Sequence, residues 1–256
     1  MNLRQIVCIA LFCSAALFTA AQQDATHVYS QSTKCNLLLS GASFSTSLGG
    51  FILERTVSGY SEDFISNLSR PTSLNSIDQL SLDWYDLGYK KMSDGFLIGS
   101  AAVPSLLFLS PKTRGHRKQL VFEWSQVSTL TVGLTSLTKV IVKRNRPFLF
   151  NPSAPIGVKE EPDARYSFFS GHTSLTAASW FFLAHHVQRL SNNRWVKIGT
   201  WVLASTIPAF VGYARMRAGK HYFSDVATGY VVGASIGYFI PLLHQRSISK
   251  RASKKR

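Results

Sequence analysis

Negative charge is scarce in this chain, with 13 Asp and Glu against 28 Lys and Arg over 256 residues. Charged residues of both signs together reach only 16 per cent, while 45 per cent are hydrophobic, and the apolar residues are bunched. That is too apolar for an ordinary soluble domain. A basic excess suits nucleic acid when it gathers into one patch. Here it falls in short clusters between apolar runs, which argues against a nucleic-acid partner and matches a multispanning membrane protein. Cysteine is nearly absent. Cys8, Cys13 and Cys35 provide no disulfide framework, and no Cys/His group has zinc-ligand spacing.

Residues 1–21 carry Arg4, an apolar run over 6–18 and Thr19-Ala20-Ala21, the pattern of a signal peptide or N-terminal anchor. Residues 22–93 read as an extracytoplasmic or interfacial segment. Within it, 36–53 are apolar but interrupted by Asn36, Gly41, Gly49, Gly50 and several serines. They are expected to lie in or on the membrane without completing a span. Asp83-Trp84-Tyr85 reads as an interfacial anchor. From Asp94 onward, spans are expected near 94–111, 119–141, 172–190, 196–213 and 224–243, and Gly229, Gly233 and Gly237 give the last a close-packing face. The expected fold is all-α, a multispanning transmembrane helix bundle. Basic residues fill 112–118, 189–197 and the tail over 246–256, which places those three segments in the cytoplasm. The segments between them then face the extracytoplasmic side of the plasma (inner) membrane.

Those intervening segments carry the chemistry. Arg215-x5-His221-x3-Asp225 combines an anion clamp, a candidate nucleophile and, one helical turn on, a carboxylate able to orient it. A plainer reading makes Arg215 and His221 boundary residues and Asp225 a cap of the next helix. Lys139-x6-Arg146-Pro147 ends one apolar segment, and Phe169-Ser170-Gly171-His172 opens the next. In this order and spacing, the three stretches resemble the signature motifs of the type 2 phosphatidic acid phosphatase (PAP2) superfamily, shared with vanadium-dependent haloperoxidases. The resemblance covers roughly 90–245. It departs from the family where Phe169 stands in place of proline and Ala214 in place of serine.

The resemblance implies a PAP2/haloperoxidase-like six-helix core with 94–245 as its catalytic domain. It makes His221 the nucleophile that forms a phosphohistidine, Asp225 its orienting group and His172 the acid for the leaving oxygen. Lys139, Arg146 and Arg215 become the cations around the phosphate, with Ser170 and the Gly171 N–H as further donors. No metal and no cofactor is implied, and the partner is a phosphorylated membrane lipid: undecaprenyl pyrophosphate, lipid A phosphate, phosphatidylglycerophosphate or phosphatidic acid. A haloperoxidase-like enzyme and a non-catalytic lipid-binding homologue are the alternatives. His185 and His186 are expected to be structural. Arg144, Arg217 and Lys220 are expected to be solvated or interfacial, and the acidic piece 160–163 a solvated loop.

Overall fold

The computed structural model describes residues 33–253, with side chains placed within 36–244. The signal or anchor segment expected over 1–21 lies outside the described residues. Six long helices form the body: α1 (Thr33–Glu54), α2 (Leu87–Ala102), α3 (Arg117–Val142), α4 (Gly171–Leu190), α5 (Arg194–Arg217) and α6 (Phe223–Ser253). Among the described residues there is no strand, and the fold is an all-α multispanning bundle.

Local chemistry sets the helix ends. The Asp86 carboxylate accepts from Gly88 N (2.7 Å) at the start of α2, and Asn193 Oδ1 accepts from Trp195 N (2.8 Å) at the start of α5; these side chains satisfy N–H groups that the helix leaves open. α2 continues as a 3-10 helix over Val103–Leu109. The change comes at Pro104, which has no N–H to donate back into the α-helix.

Short connections at residues 191–193 and 218–222 make successive helices antiparallel. The ends of α1, α3 and α5 and the starts of α2, α4 and α6 therefore share one end of the bundle. Asp86 N donates to Arg217 O (3.2 Å) and Ser170 N to Asp225 O (3.1 Å) at that end. At the other, Lys112 Nζ donates to Leu190 O (2.8 Å). α4 is the central helix and packs against α2, α3, α5 and α6. On α6, Gly229, Gly233 and Gly237 lie against the α4 backbone, where an added Cβ would sit 2.6, 2.0 and 2.3 Å from the carbonyl oxygens of Ser170, Ser174 and Ala178. In lipid, where burial of apolar surface drives helices together only weakly, this close approach supplies the packing energy.

Residues 36–54, 87–109 and 223–244 are long and apolar enough to cross a membrane. The first bears on 36–53, which were expected to lie in or on the membrane without completing a span. These residues form one continuous helix of spanning length, and three of the small residues read as interruptions, Ser43, Ser47 and Gly50, lie buried on its α3 face. Ser47 Oγ donates to Thr129 O (2.9 Å), and a Cβ on Gly50 would meet Ser136 Cβ at 2.7 Å. α3, α4 and α5 have the length, at 26, 20 and 24 residues, but are more polar. Many of their hydroxyls are satisfied within the helix, as in Thr131 to Val127 O, Thr135 to Thr131 O and Ser179 to Leu175 O, at 2.7–2.8 Å, which lowers the cost of burying them; Thr129 Oγ1 and Thr176 Oγ1 are buried without a partner.

A second polar group sits at the end of the bundle remote from the motifs. His244 Nε2 lies 2.7 Å from Gln126 Oε1, Gln126 Nε2 donates to Ser40 Oγ (3.0 Å), and His186 Nε2 is 3.3 Å from Glu123 Oε2. His185 packs edge-on to Tyr238. These histidines tie α1, α3, α4 and α6 together and take no part in the motif cluster.

Candidate active site

Three helix ends deliver the three motifs to one place. α3 stops because Lys143 turns into the left-handed region (φ 49°), with Lys143 N donating to Lys139 O (2.9 Å). That turn leaves Lys139 buried one turn back and sends Arg144 and Arg146 to separate partners. α5 ends with Arg215 buried in its last turn. Gly219 follows at φ 66°, where a Cβ would lie 2.4 Å from Trp84 O, so only glycine fits the turn that brings in Lys220 and His221.

Arg146 Nη2 donates to Asp163 Oδ1 (2.7 Å), and Arg215 Nη1 donates to Ser93 Oγ (3.2 Å) and Asp94 Oδ1 (3.3 Å). Each guanidinium keeps a buried Nε–H with no protein acceptor. A buried donor left without an acceptor costs roughly 1–3 kcal/mol, so the pair calls for an oxygen-rich anion. Lys139 is buried beside them, its ammonium 3.8 Å from where a Gly171 Cβ would stand. Lys220 completes the cluster, with Nζ donating to Asp163 Oδ2 (3.3 Å) and lying 4.4 Å from the Phe148 ring centre. Burial, then the nearby Arg146, pulls the Lys220 pKa down to about 8. Burial pushes the Asp163 carboxyl up, but Arg146, Lys220 and Lys139 outweigh it and hold the group well below the ordinary range. Lys220, expected to be solvated or interfacial, is buried in the cation cluster; Asp163, expected in a solvated loop, keeps 42% of its side chain exposed while it pairs with Arg146 and Lys220.

Ser170 is the N-cap of α4. Its oxygen accepts from Thr173 Oγ1 (3.0 Å), which leaves its own proton free to donate. The first N–H groups of α4, beginning at Gly171, open toward the cations, where the helix dipole favours an anion. His172 Nε2 is 2.7 Å from Asp94 Oδ1, which leaves Nδ1 as the ring nitrogen not engaged by Asp94. Burial first, and then Arg146, Arg215 and Lys139, holds the His221 pKa well below the ordinary imidazole value, leaving the ring neutral. His221 Nδ1 is 2.7 Å from Ser167 O. That contact assigns the proton to Nδ1 and exposes the Nε2 lone pair.

Asp225 lies farther from the ring than the direct pairing read from spacing: its Oδ2 is 3.7 Å from His221 Nδ1. It accepts from Tyr222 N (2.9 Å), Ser167 Oγ and Arg144 Nη1. Asp225 thus caps α6 in the manner of a capping box and reaches His221 through Ser167. The capping part of the plainer reading is the one this geometry shows directly.

A cavity of about 540 Å³ runs from Lys139, Gly171 and His172 down between α1, α3 and α4, past Phe51, Val132 and Leu175. It is large enough for the polar head and first carbons of a lipid. The residues that sequence reading missed are Asp94, Asp163, Ser167, Asp78 and the structural role of Arg144. Asp94 had a signal, being an acid inside an apolar span. Ser167 acts partly through its carbonyl and had none.

A family model described as PAP2 superfamily matches residues 125–249, which contain all three motifs. The chain is 30% identical over 149 residues to phospholipid phosphatase 2 of Rattus norvegicus, covering 57% of this chain and 50% of that one. It is 34% identical over 76 residues to the lipid A 4'-phosphatase of Porphyromonas gingivalis, covering 30% of this chain and 29% of that one. The chain spans about half the length of the curated relatives it matches first. No solved structure matches.

Proposed function

The chain belongs to the PAP2 superfamily through residues 125–249, and on that premise we propose that it is a membrane lipid phosphatase working through a phosphohistidine. The observation that carries this reading is the convergence of Lys139, Arg146 and Arg215, with two buried unpartnered guanidinium N–H groups, on a neutral His221. The phosphate oxygens occupy that cradle and the Ser170 hydroxyl, and the fixed cations supply the charge neutralisation that phosphoryl transfer requires. The His221 Nε2 lone pair forms the N–P bond as the ester P–O bond breaks, and the departing oxygen takes a proton from His172. His172, held by Asp94, then removes a proton from water, which attacks phosphorus, breaks the N–P bond and releases phosphate.

The substrate is a phosphorylated lipid whose head enters the cavity between α1, α3 and α4. Relatives named for phospholipids and for lipid A favour a phosphomonoester. The basic segments lie at the bundle end away from the site, which favours the site facing the extracytoplasmic side of the plasma membrane.

Histidine variants test the assignment. His221→Ala is expected to be inactive on a lipid phosphate and on p-nitrophenyl phosphate alike, because no covalent route remains. His172→Ala is expected to lose about 10²–10⁴-fold on the lipid, the usual value of a general acid, and to recover partly on p-nitrophenyl phosphate, whose phenolate leaves unaided. Recovery in His221→Ala instead would reverse the two roles.

A further inference from the structure

The connector between α1 and α2 reaches the site through one residue. Asp78, in the short helix Ser76–Gln79, is 1% exposed. Its carboxylate accepts from Ser224 N (2.9 Å), Ser224 Oγ (2.6 Å), Arg144 Nη2 (2.8 Å) and Asn75 Nδ2 (3.0 Å). The other side of the Arg144 fork is bonded to Asp225 Oδ1 and to Ser224 Oγ, and the guanidinium lies 4.1 Å from the Tyr222 ring centre. Arg144 also acts through its backbone, since Ser167 N donates to Arg144 O (2.9 Å). One residue therefore holds both groups that bear on His221: Asp225 by its side chain and Ser167 by its carbonyl. This arrangement corrects the expectation that Arg144 is solvated or interfacial.

We propose that Arg144 and Asp78 are positioning residues for the His221 ring, acting through Asp225 and Ser167, and that the α1–α2 connector is thereby part of the catalytic apparatus. Neither residue is among those that would touch phosphate. Asp225 and Asp78 are two buried carboxylates that would repel one another. The Arg144 fork bridges them, and the first N–H groups of α6 take the remaining lone pairs. Only a planar fork can serve both acids at once; an ammonium reaches one. With the Arg144 side chain gone, Asp225 is free to turn toward the site cations, Ser167 Oγ loses its acceptor on Asp225 although Ser167 N keeps its bond to the Arg144 carbonyl, and the imidazole is no longer fixed with Nε2 toward phosphorus. A misplacement of about 1 Å costs about 10²-fold in rate.

The inference rests on His221 being the nucleophile, and the test separates the two. The full chain is purified in detergent, and kcat and KM are measured on a lipid phosphate and on p-nitrophenyl phosphate for wild type, Arg144→Lys, Arg144→Gln, Asp78→Asn and the Asp78→Asn/Arg144→Gln double variant. Expected is a fall in kcat of about 10²-fold with KM within about 3-fold. It should appear on both substrates, because the nucleophile and not the leaving group is affected, with no recovery in Arg144→Lys. The double variant should be no worse than Arg144→Gln, the mark of residues acting as one unit. Asp78→Asn keeps the side-chain shape and carries the test if Arg144→Gln fails to accumulate folded. A rise in KM at constant kcat makes Arg144 a headgroup contact and overturns the proposal. So does normal kcat per folded molecule, which reduces the network to stability. Wild type without phosphatase activity removes the functional reading and this inference together, whereas active wild type with unaffected variants removes only the inference.

Discussion

Lys220 is a site cation whose charge changes within the working pH range. Its pKa of about 8 reflects burial first and Arg146 second, partly offset by Asp163. Below pH 8 the ammonium is present and adds to phosphate attraction; as pH rises through 8 it is lost. The expected profile is a fall in kcat/KM above about pH 8, since this ratio reports groups of the free enzyme, and Lys220→Gln should flatten that limb while lowering the plateau. An unchanged alkaline limb in the variant would assign it elsewhere. The neutral His221 sets no acid limb near pH 6, because its pKa is already well below that. At this scale motif spacing brought Lys139, Arg146, Ser170, Arg215 and His221 into view as candidates, but not the buried Lys220 beside them. It did not reveal the residues that hold them. Asp78, Ser167 and Arg144 come from a connector, a backbone carbonyl and a motif filler position, and no periodicity joins positions 78, 144 and 225. The bond from His221 to Ser167 O in place of Asp225 shows how spacing can find a pair and still miss the route between its members.

Among the elements, the α4–α6 contact offers the sharpest test of packing. A side chain at position 233 of α6 would have to displace the Ser174 carbonyl, only 2.0 Å from the place of its Cβ. Gly233→Leu is expected to destabilise by about 1–3 kcal/mol or more, read as a lowered midpoint of thermal unfolding in detergent. Gly99→Ala, where an added Cβ meets nothing within 4 Å, serves as control; equal shifts would remove close packing as the cause. The glycine spacing on α6 was legible because a four-residue repeat is itself a helical signal. The standing of α1 was not. Gly50 and its neighbouring serines read as weakness in a linear hydropathy pattern, yet they are the surface on which α3 packs. Hydropathy sees what faces lipid, and α1, α2 and α6 satisfy it. α3, α4 and α5 were found from their length and the basic loops between them, despite their inward hydroxyls.

For the whole molecule, alternation of six helices puts both connections bearing the motifs on one side and the basic segments on the other. Reporter fusions after Gly115 and Asn192 are expected to report cytoplasm. Cysteines placed singly at Thr72 or Ser153, after removal of the native thiols, should react with an impermeant reagent added outside intact cells. Labelling at Ser153 but not at Thr72 would return α1 to a non-spanning role, and the opposite result at all four positions would invert the molecule. The polar knot at the far end has a bearing on assembly. Gln126 on α3 takes one partner from α1, Ser40, and the other from His244 on α6, 118 positions later. While the chain is being made, α3 must therefore wait in the bilayer with its Gln126 amide oxygen unmatched until α6 arrives. An isolated polar group in hydrocarbon is costly, so the knot works as a check on assembly: a polypeptide interrupted before α6 keeps a buried defect that one carrying α6 does not have.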